Sequence, residues 1–264
     1  MIKAQLLRGA VYLLLVGFFT FPFALAHRNT ADRSNATLNA VAAPAIGVSF
    51  VPSVPSASAI ILYDQMSNPA PTPTPPIPGG VTSQDFEPEL DSYDSFAADD
   101  FVVPAGQIWN ITEVHVIGES SEPPAPPDSF HVFFYMDGAT LPGSLVETRL
   151  ANPYSGFGEF VITLTSPVTL TAGAYWVSVQ AREDSTSSGQ WFWDNRLVIS
   201  NSGAAWQNPG GGWGDGCLIW GRKTTCLPMQ NGPDQLFRLV GTLTRPTPTP
   251  RPRPTPVRRP ILRG

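Results

Sequence analysis

Three histidines, two cysteines, 21 carboxylates and seven tryptophans are the side chains here that could react with or hold a ligand. A serine or cysteine hydrolase needs its nucleophile within reach of a base. Apart from His27, only His115 and His131 are available, both inside segments that read as strands, and no G-x-S-x-G turn accompanies them. His131 alternates with Phe133 and Tyr135, so it is expected on one strand face as a packed or rim histidine. No H-x-x-x-H or H-x-H spacing offers a zinc site. Glycoside hydrolysis asks only for two suitably spaced carboxylates. Asp99 and Asp100 are adjacent in an extended stretch and would point to opposite sides, which argues against them as that pair. The reading is non-catalytic, with an extracellular hydrolase as an alternative.

The tryptophans are more suggestive. Trp191 and Trp193 stand two apart on a predicted strand and share a face. Asn195 and Arg196 follow directly, and Trp206 and Trp213 flank the glycine-rich run Asn208–Gly212. Flat rings beside Asn and Arg suit sugar rings, whose apolar faces stack while their hydroxyls take hydrogen bonds. Trp206, Trp213, Trp191, Trp193, Asn195 and Arg196 are therefore the candidate ligand-binding residues. The same tryptophans would serve equally to hold two sheets together. No cofactor is expected. Structural calcium is the one ion weighed, with Asp99 and Asp100 of the acid-rich stretch Asp85–Asp100 as weak candidates, because hard oxygen ligands are what that ion takes. The D-x-D-x-D-G loop is absent.

These residues sit in a chain of short, alternating segments. Ser166–Gln180 (SPVTLTAGAYWVSVQ) reads as a strand, a tight turn at Thr171-Ala172-Gly173, and a second strand. Tyr175, Val177 and Val179 point one way on it, and Trp176, Ser178 and Gln180 the other. Further strands are expected at Ile60–Tyr63, Phe101–Val103, Ile108–Ile117, Phe130–Tyr135, Ser144–Thr148, Glu159–Leu164, Gln190–Asp194, Leu218–Trp220 and Leu236–Thr242. Leu141-Pro142-Gly143-Ser144 fits a type II turn. One helical turn is expected within Asp85–Asp100, where Phe86, Leu90, Tyr93 and Phe96 recur at spacings of three or four. The predicted class is all-β, an antiparallel two-sheet β-sandwich of jelly-roll type.

Charge and composition divide the chain. Residues 1–26 read as a signal peptide: Lys3 and Arg8 precede an uncharged run ending in Ala24-Leu25-Ala26. No later stretch is long and apolar enough to span a membrane, and an exported, surface-located protein is expected. Residues 27–59 read as a disordered leader, residues 60–243 as the sandwich and residues 244–264 as a disordered Pro/Arg-rich tail. Pro69–Pro78 interrupts the sandwich as a stiff exposed loop. From Ile60 to Leu243 there are six basic and 20 acidic residues, a net of −14, whereas the tail carries six arginines and no acid. Such a body repels nucleic acid, and the tail suits an anionic envelope polymer. Cys217 and Cys226, the only cysteines, read as one disulfide in an exported chain.

Several short strings resemble a β-sandwich module of exported bacterial proteins, found alone or appended to extracellular enzymes and surface-sorted chains. They are Ala98–Phe101 with Val103–Gly106, Val132–Tyr135, Leu141–Gly143, Pro167–Leu170 with Tyr175–Val179, and Ala205–Gly211. The resemblance covers roughly residues 60–243. It implies the fold and an extracellular location, and it carries over no activity. The functional expectation is a non-catalytic surface binding or adhesion module with glycan as the leading ligand class. The alternative is a structural envelope protein tethered by its basic tail.

Overall fold

The computed structural model of the chain describes residues 58–71, 79–121, 125–230 and 232–245. The signal peptide, nearly all of the leader, most of the proline loop and the arginine tail lie outside the described residues. No helix among the described residues is long and apolar enough to cross a membrane.

Thirteen strands form among these residues: β1 (Ile60–Asp64), β2 (Gly80–Thr82), β3 (Gln84–Asp85), β4 (Phe96–Ser120), β5 (Ser129–Asp137), β6 (Pro142–Asn152), β7 (Tyr154–Ser155), β8 (Glu159–Arg182), β9 (Trp191–Arg196), β10 (Ala205–Gln207), β11 (Gly221–Arg222), β12 (Asp234–Gln235) and β13 (Phe237–Thr244). The long strands pair antiparallel in the order β1-β13-β4-β8-β5-β6. Only the short β3–β8 pair is parallel. The sheet does not close into a barrel, and the fold is all-β and sandwich-like.

Two strands build both layers. Phe101 and Trp109 lie eight residues apart on β4, which would be about 26 Å along a straight strand. Their ring centroids are 6.1 Å apart. The strand must therefore double over between them, at the exposed segment Pro104–Gly106, where Gly106 takes a φ of 74° that its missing Cβ permits. β8 follows it round. Its C-terminal half pairs with Ala98–Val103 and its N-terminal half with Ile108–Ile117. One layer then runs β6-β5-β8-β4-β10-β11 and the facing layer β1-β13-β4-β8-β7.

Several sequence expectations change accordingly. Thr171-Ala172-Gly173 is no hairpin turn but the corner of one continuous strand, because its two halves bond to β4 and not to each other. Phe101–Val103 and Ile108–Ile117 likewise belong to one strand. Leu218–Trp220 makes no strand. The predicted type II turn gives way to a two-residue hairpin loop at Ala139-Thr140, closed by the Gly138 N–H on the Leu141 carbonyl at 2.8 Å. Ala139 and Thr140 take φ of 63° and 77° there, as a type I′ turn demands, and no glycine supplies them. The expected helical turn is a 3₁₀ segment, Pro88–Tyr93.

The main core fills the space between the layers. Phe101 is its hub, with Trp109, Phe134, Tyr175 and Phe237 rings around it. Each such side chain contributes about 1.5–3 kcal/mol by leaving water. Tyr175, Val177 and Val179 enter this core as the alternation predicts. The opposite face of β8 is buried as well. Trp176 joins Ala98 and Ala205 beneath Tyr135, Leu141 and Trp220, because part of the chain between β9 and the second of two short helices, α1 (Ser185–Ser188) and α2 (Lys223–Cys226), returns across the outside of the first layer. The disulfide Cys217–Cys226 forms and closes the end of that return.

Candidate ligand-binding cleft

The tryptophan set does not assemble into a ligand platform. Trp191, Trp193 and Trp206 are wholly enclosed, and Trp193 and Trp206 donate their indole N–H to the Leu236 and Thr82 carbonyls. Trp213 is half-buried, donating to the Tyr93 carbonyl at 2.8 Å and standing edge-on to Tyr93. A stacked sugar needs an open ring face, and three of these rings have none. Asn195 and Arg196 are buried too. Arg196 is spent on the Ser67 and Val198 carbonyls, the Ser200 hydroxyl and Asp234. Nor do Asp99 and Asp100 present oxygens to a cation. Asp99 accepts N–H bonds from Asp100, Gln235 and Gln65, and Asp100 accepts from Ser202. Among the described residues, no group of three or more His, Cys, Asp or Glu is arranged to hold a metal ion.

Both histidines are occupied by protein. His131 has Asp85 at 3.1 Å from Nε2 and accepts the Ala151 N–H at Nδ1, which places its proton on Nε2. His115 lies against Glu113, with Glu159 at 3.7 Å on its other side.

The residues that do converge on open space are others. A cleft of about 440 Å³ is lined by Thr140, Ile199, Asn201, Ser202, Gly203, Arg222, Thr224 and Pro233. Four pieces of chain supply it: the β5–β6 turn, the loop between β9 and β10, the end of β11 with the start of α2, and Pro233 just before β12. Its chemical centre is Arg222. Nη2 donates to the Thr140 carbonyl at 2.6 Å and lies 3.3 Å from the Thr140 hydroxyl. The guanidinium carbon stands 5.9 Å from the Trp176 ring centroid, a cation–π distance. Among the described residues, the buried Nη1 has no hydrogen-bond partner and no carboxylate pairs with the group.

The walls are held from behind. The Ser202 N–H donates to both oxygens of Asp100, and the Ser200 N–H to Asp234 at 2.6 Å. Asn201 between them sits at φ 59° and donates to the Tyr63 hydroxyl. Burial raises the Asp100 carboxyl to about 6, partly offset by the Ser202 N–H, with the Asp234 charge adding to the rise. Burial raises Asp234 to about 6 as well, against the Ser200 N–H and the positive charges of Lys223 and Arg196. Thr140, a β-branched residue at positive φ, stores strain of roughly 1–3 kcal/mol on the opposite wall.

A second hollow of about 270 Å³ lies beside Phe157, Glu119 and Asp194. It offers hydrocarbon and carboxylate but no charged donor. Arg222 was not among the residues expected from sequence. Its only signal there is that it is one of six basic residues in a strongly acidic body and lies inside the loop closed by the two cysteines.

Fold and cleft together define an all-β, disulfide-bonded, sandwich-like domain with a solvent-facing cationic cleft. No model of a protein family, no curated protein and no solved structure matches this chain.

Proposed function

We propose that the chain is an exported, non-catalytic binding module of the cell surface whose ligand is a glycan carrying a carboxylate, taken up in the Arg222 cleft. The observation that supports this is that Arg222, a guanidinium with no carboxylate partner among the described residues, lines a cleft edged by hydroxyl and amide groups. A guanidinium matches a carboxylate in a planar fork, and the pair is stronger than neutral hydrogen bonds. Thr140, Thr224 and Asn201 offer partners to sugar hydroxyls, and Ile199 offers an apolar contact to a ring face. Disulfide formation accords with an oxidising compartment. The ionisable groups with the most displaced protonation lie beneath the surface with protein partners, as suits a scaffold more than a reaction centre.

The test is a glycan array of matched acidic and neutral sugars, probed with the wild-type chain and with Arg222→Gln. Acidic glycans should bind and the substitution should weaken them at least tenfold, as expected when one partner of a buried charge pair is lost. Equal binding of neutral and acidic sugars, or unchanged binding by the variant, refutes the assignment.

A further inference from the structure

Lys223 is fully enclosed, an unusual place for an amine. Its ammonium nitrogen meets three oxygens and no carboxylate: Asn195 Oδ1 at 2.8 Å, the Asp234 carbonyl at 2.9 Å, and Gln235 Oε1. Enclosing a positive charge among neutral oxygens is costly, and the group escapes the cost by shedding its proton. Burial accordingly pushes the Lys223 amine down to about 7, against the pull of Asp99 and Asp234. About half of these amines then carry no proton at neutral pH, and that form is a nucleophile. It is pressed against a carboxamide where no bulk water competes, since Asn195 is also buried.

The two carboxamides in reach differ. Gln235 Nε2 is tied to the Trp193 and Asp194 carbonyls, at 2.8 and 3.4 Å, the latter shared with the Leu236 N–H, so its departure would break two bonds. Asn195 Nδ2 makes one long bond, 3.3 Å to Gln230 Oε1, and can leave with little disturbance.

We propose that Lys223 and Asn195 are joined in the folded protein by an intramolecular amide bond, formed by the chain itself. The Nζ lone pair attacks Asn195 Cγ, the Cγ–Nδ2 bond breaks, and Nδ2 departs as ammonia. The proton that Nζ sheds is the one the departing nitrogen gains, so no oxidant, reductant or co-reactant is needed. The bond ties β9 to the start of α2 and overlaps the Cys217–Cys226 bridge along the chain. The loop bearing Asn201, Ser202 and Gly203 is then covalently closed, which fixes one wall of the cleft.

The experiment is intact-mass spectrometry of the purified full chain after reduction, followed by protease digestion and tandem sequencing. The expected product is lighter than its sequence by one ammonia, with a branched peptide linking Lys223 to Asn195. Lys223→Met and Asn195→Ala should each restore the sequence mass. If those variants fail to fold, the branched peptide of the wild type decides alone. An unmodified mass in wild-type protein shown to be folded by circular dichroism overturns the proposal. So does an ammonia loss that maps within one linear peptide, or to Gln235.

Discussion

Glu183 offers the sharpest physical test of this fold. Its side chain is almost fully enclosed; Oε2 accepts the Ser120 hydroxyl at 3.2 Å, while Oε1 is buried with no partner. Burial raises the carboxyl from 4.5 to about 8, with the Ser120 bond pulling it down and the Asp128 charge pushing it up. The folded protein therefore keeps a proton on Glu183 that the unfolded chain releases from about pH 4.5 upward. Over that window the unfolded state binds fewer protons, so stability falls as pH rises, by about 1.4 kcal/mol per unit for this one group. The fall ends near pH 8, where both states are ionised. The whole shift corresponds to about 5 kcal/mol as a ceiling, because water entry and local relaxation soften the penalty of a buried carboxylate. Glu183→Gln removes the titration while keeping the shape. Urea unfolding of both proteins at steps between pH 5 and 8 is the assay, read as the difference in unfolding free energy. That difference cancels the other titrating groups, including Asp94 and Asp194, both raised to about 6 mainly by burial. The variant should gain on the wild type by several kcal/mol across the window. Parallel curves would refute the reasoning and mean that Glu183 is ionised in the folded state.

Two further perturbations follow from the geometry. Cys217 and Cys226 are separated by nine positions, and opening so short a loop with the double serine variant should cost about 2.6 kcal/mol by chain entropy, read as a lower urea midpoint with the fold retained. Thr140→Gly should relieve the positive-φ strain and raise stability by about 1 kcal/mol, while weakening acidic-glycan binding through loss of the hydroxyl near Arg222; calorimetry and the array read the two effects separately.

Much of the fold was legible because a period of two survives in the sequence wherever one sheet face is buried. Val132 and Phe134 on β5 and Tyr175, Val177 and Val179 on β8 are buried as the alternation requires. The fold-back of β4 and β8 was not legible, since two short strands joined by a turn show the same local alternation as one bent strand. The tryptophans misdirect for a related reason. An aromatic pair on one face suits a sugar platform or a sheet interior equally, and only the returning chain across β4 and β8 decides. The polar interior left no signal at all. Asp99, Asn195, Lys223 and Gln235 read as surface residues one by one, and the bonds Lys223–Asn195, Lys223–Asp234 and Gln235–Asp99 that draw them inside span 11 to 136 positions. Arg222 was missed for the same reason, because what marks it is the absence of a partner, a property of three dimensions.

That polar interior has a cost and a consequence. Enclosed charged and amide groups stabilise a fold little, and well-packed apolar residues often do better. Here they fix positions instead. Asp100 and Asp234 each hold a backbone N–H of the loop that forms one wall of the cleft, at Ser202 and Ser200. Those bonds are strongest when the carboxyl is ionised, and both groups ionise only above about pH 6 in the folded chain, burial being the main cause. As pH falls through that value the two anchors become neutral together and the loop loses its charge-assisted ties. Affinity of the cleft for an acidic glycan whose carboxylate ionises well below this range should then drop by about tenfold or more between pH 7 and 5. Titration calorimetry at fixed ionic strength measures it. A binding constant that stays flat across that interval would show that the loop is positioned by its strained backbone alone, and that the buried carboxylates serve the fold without serving the site.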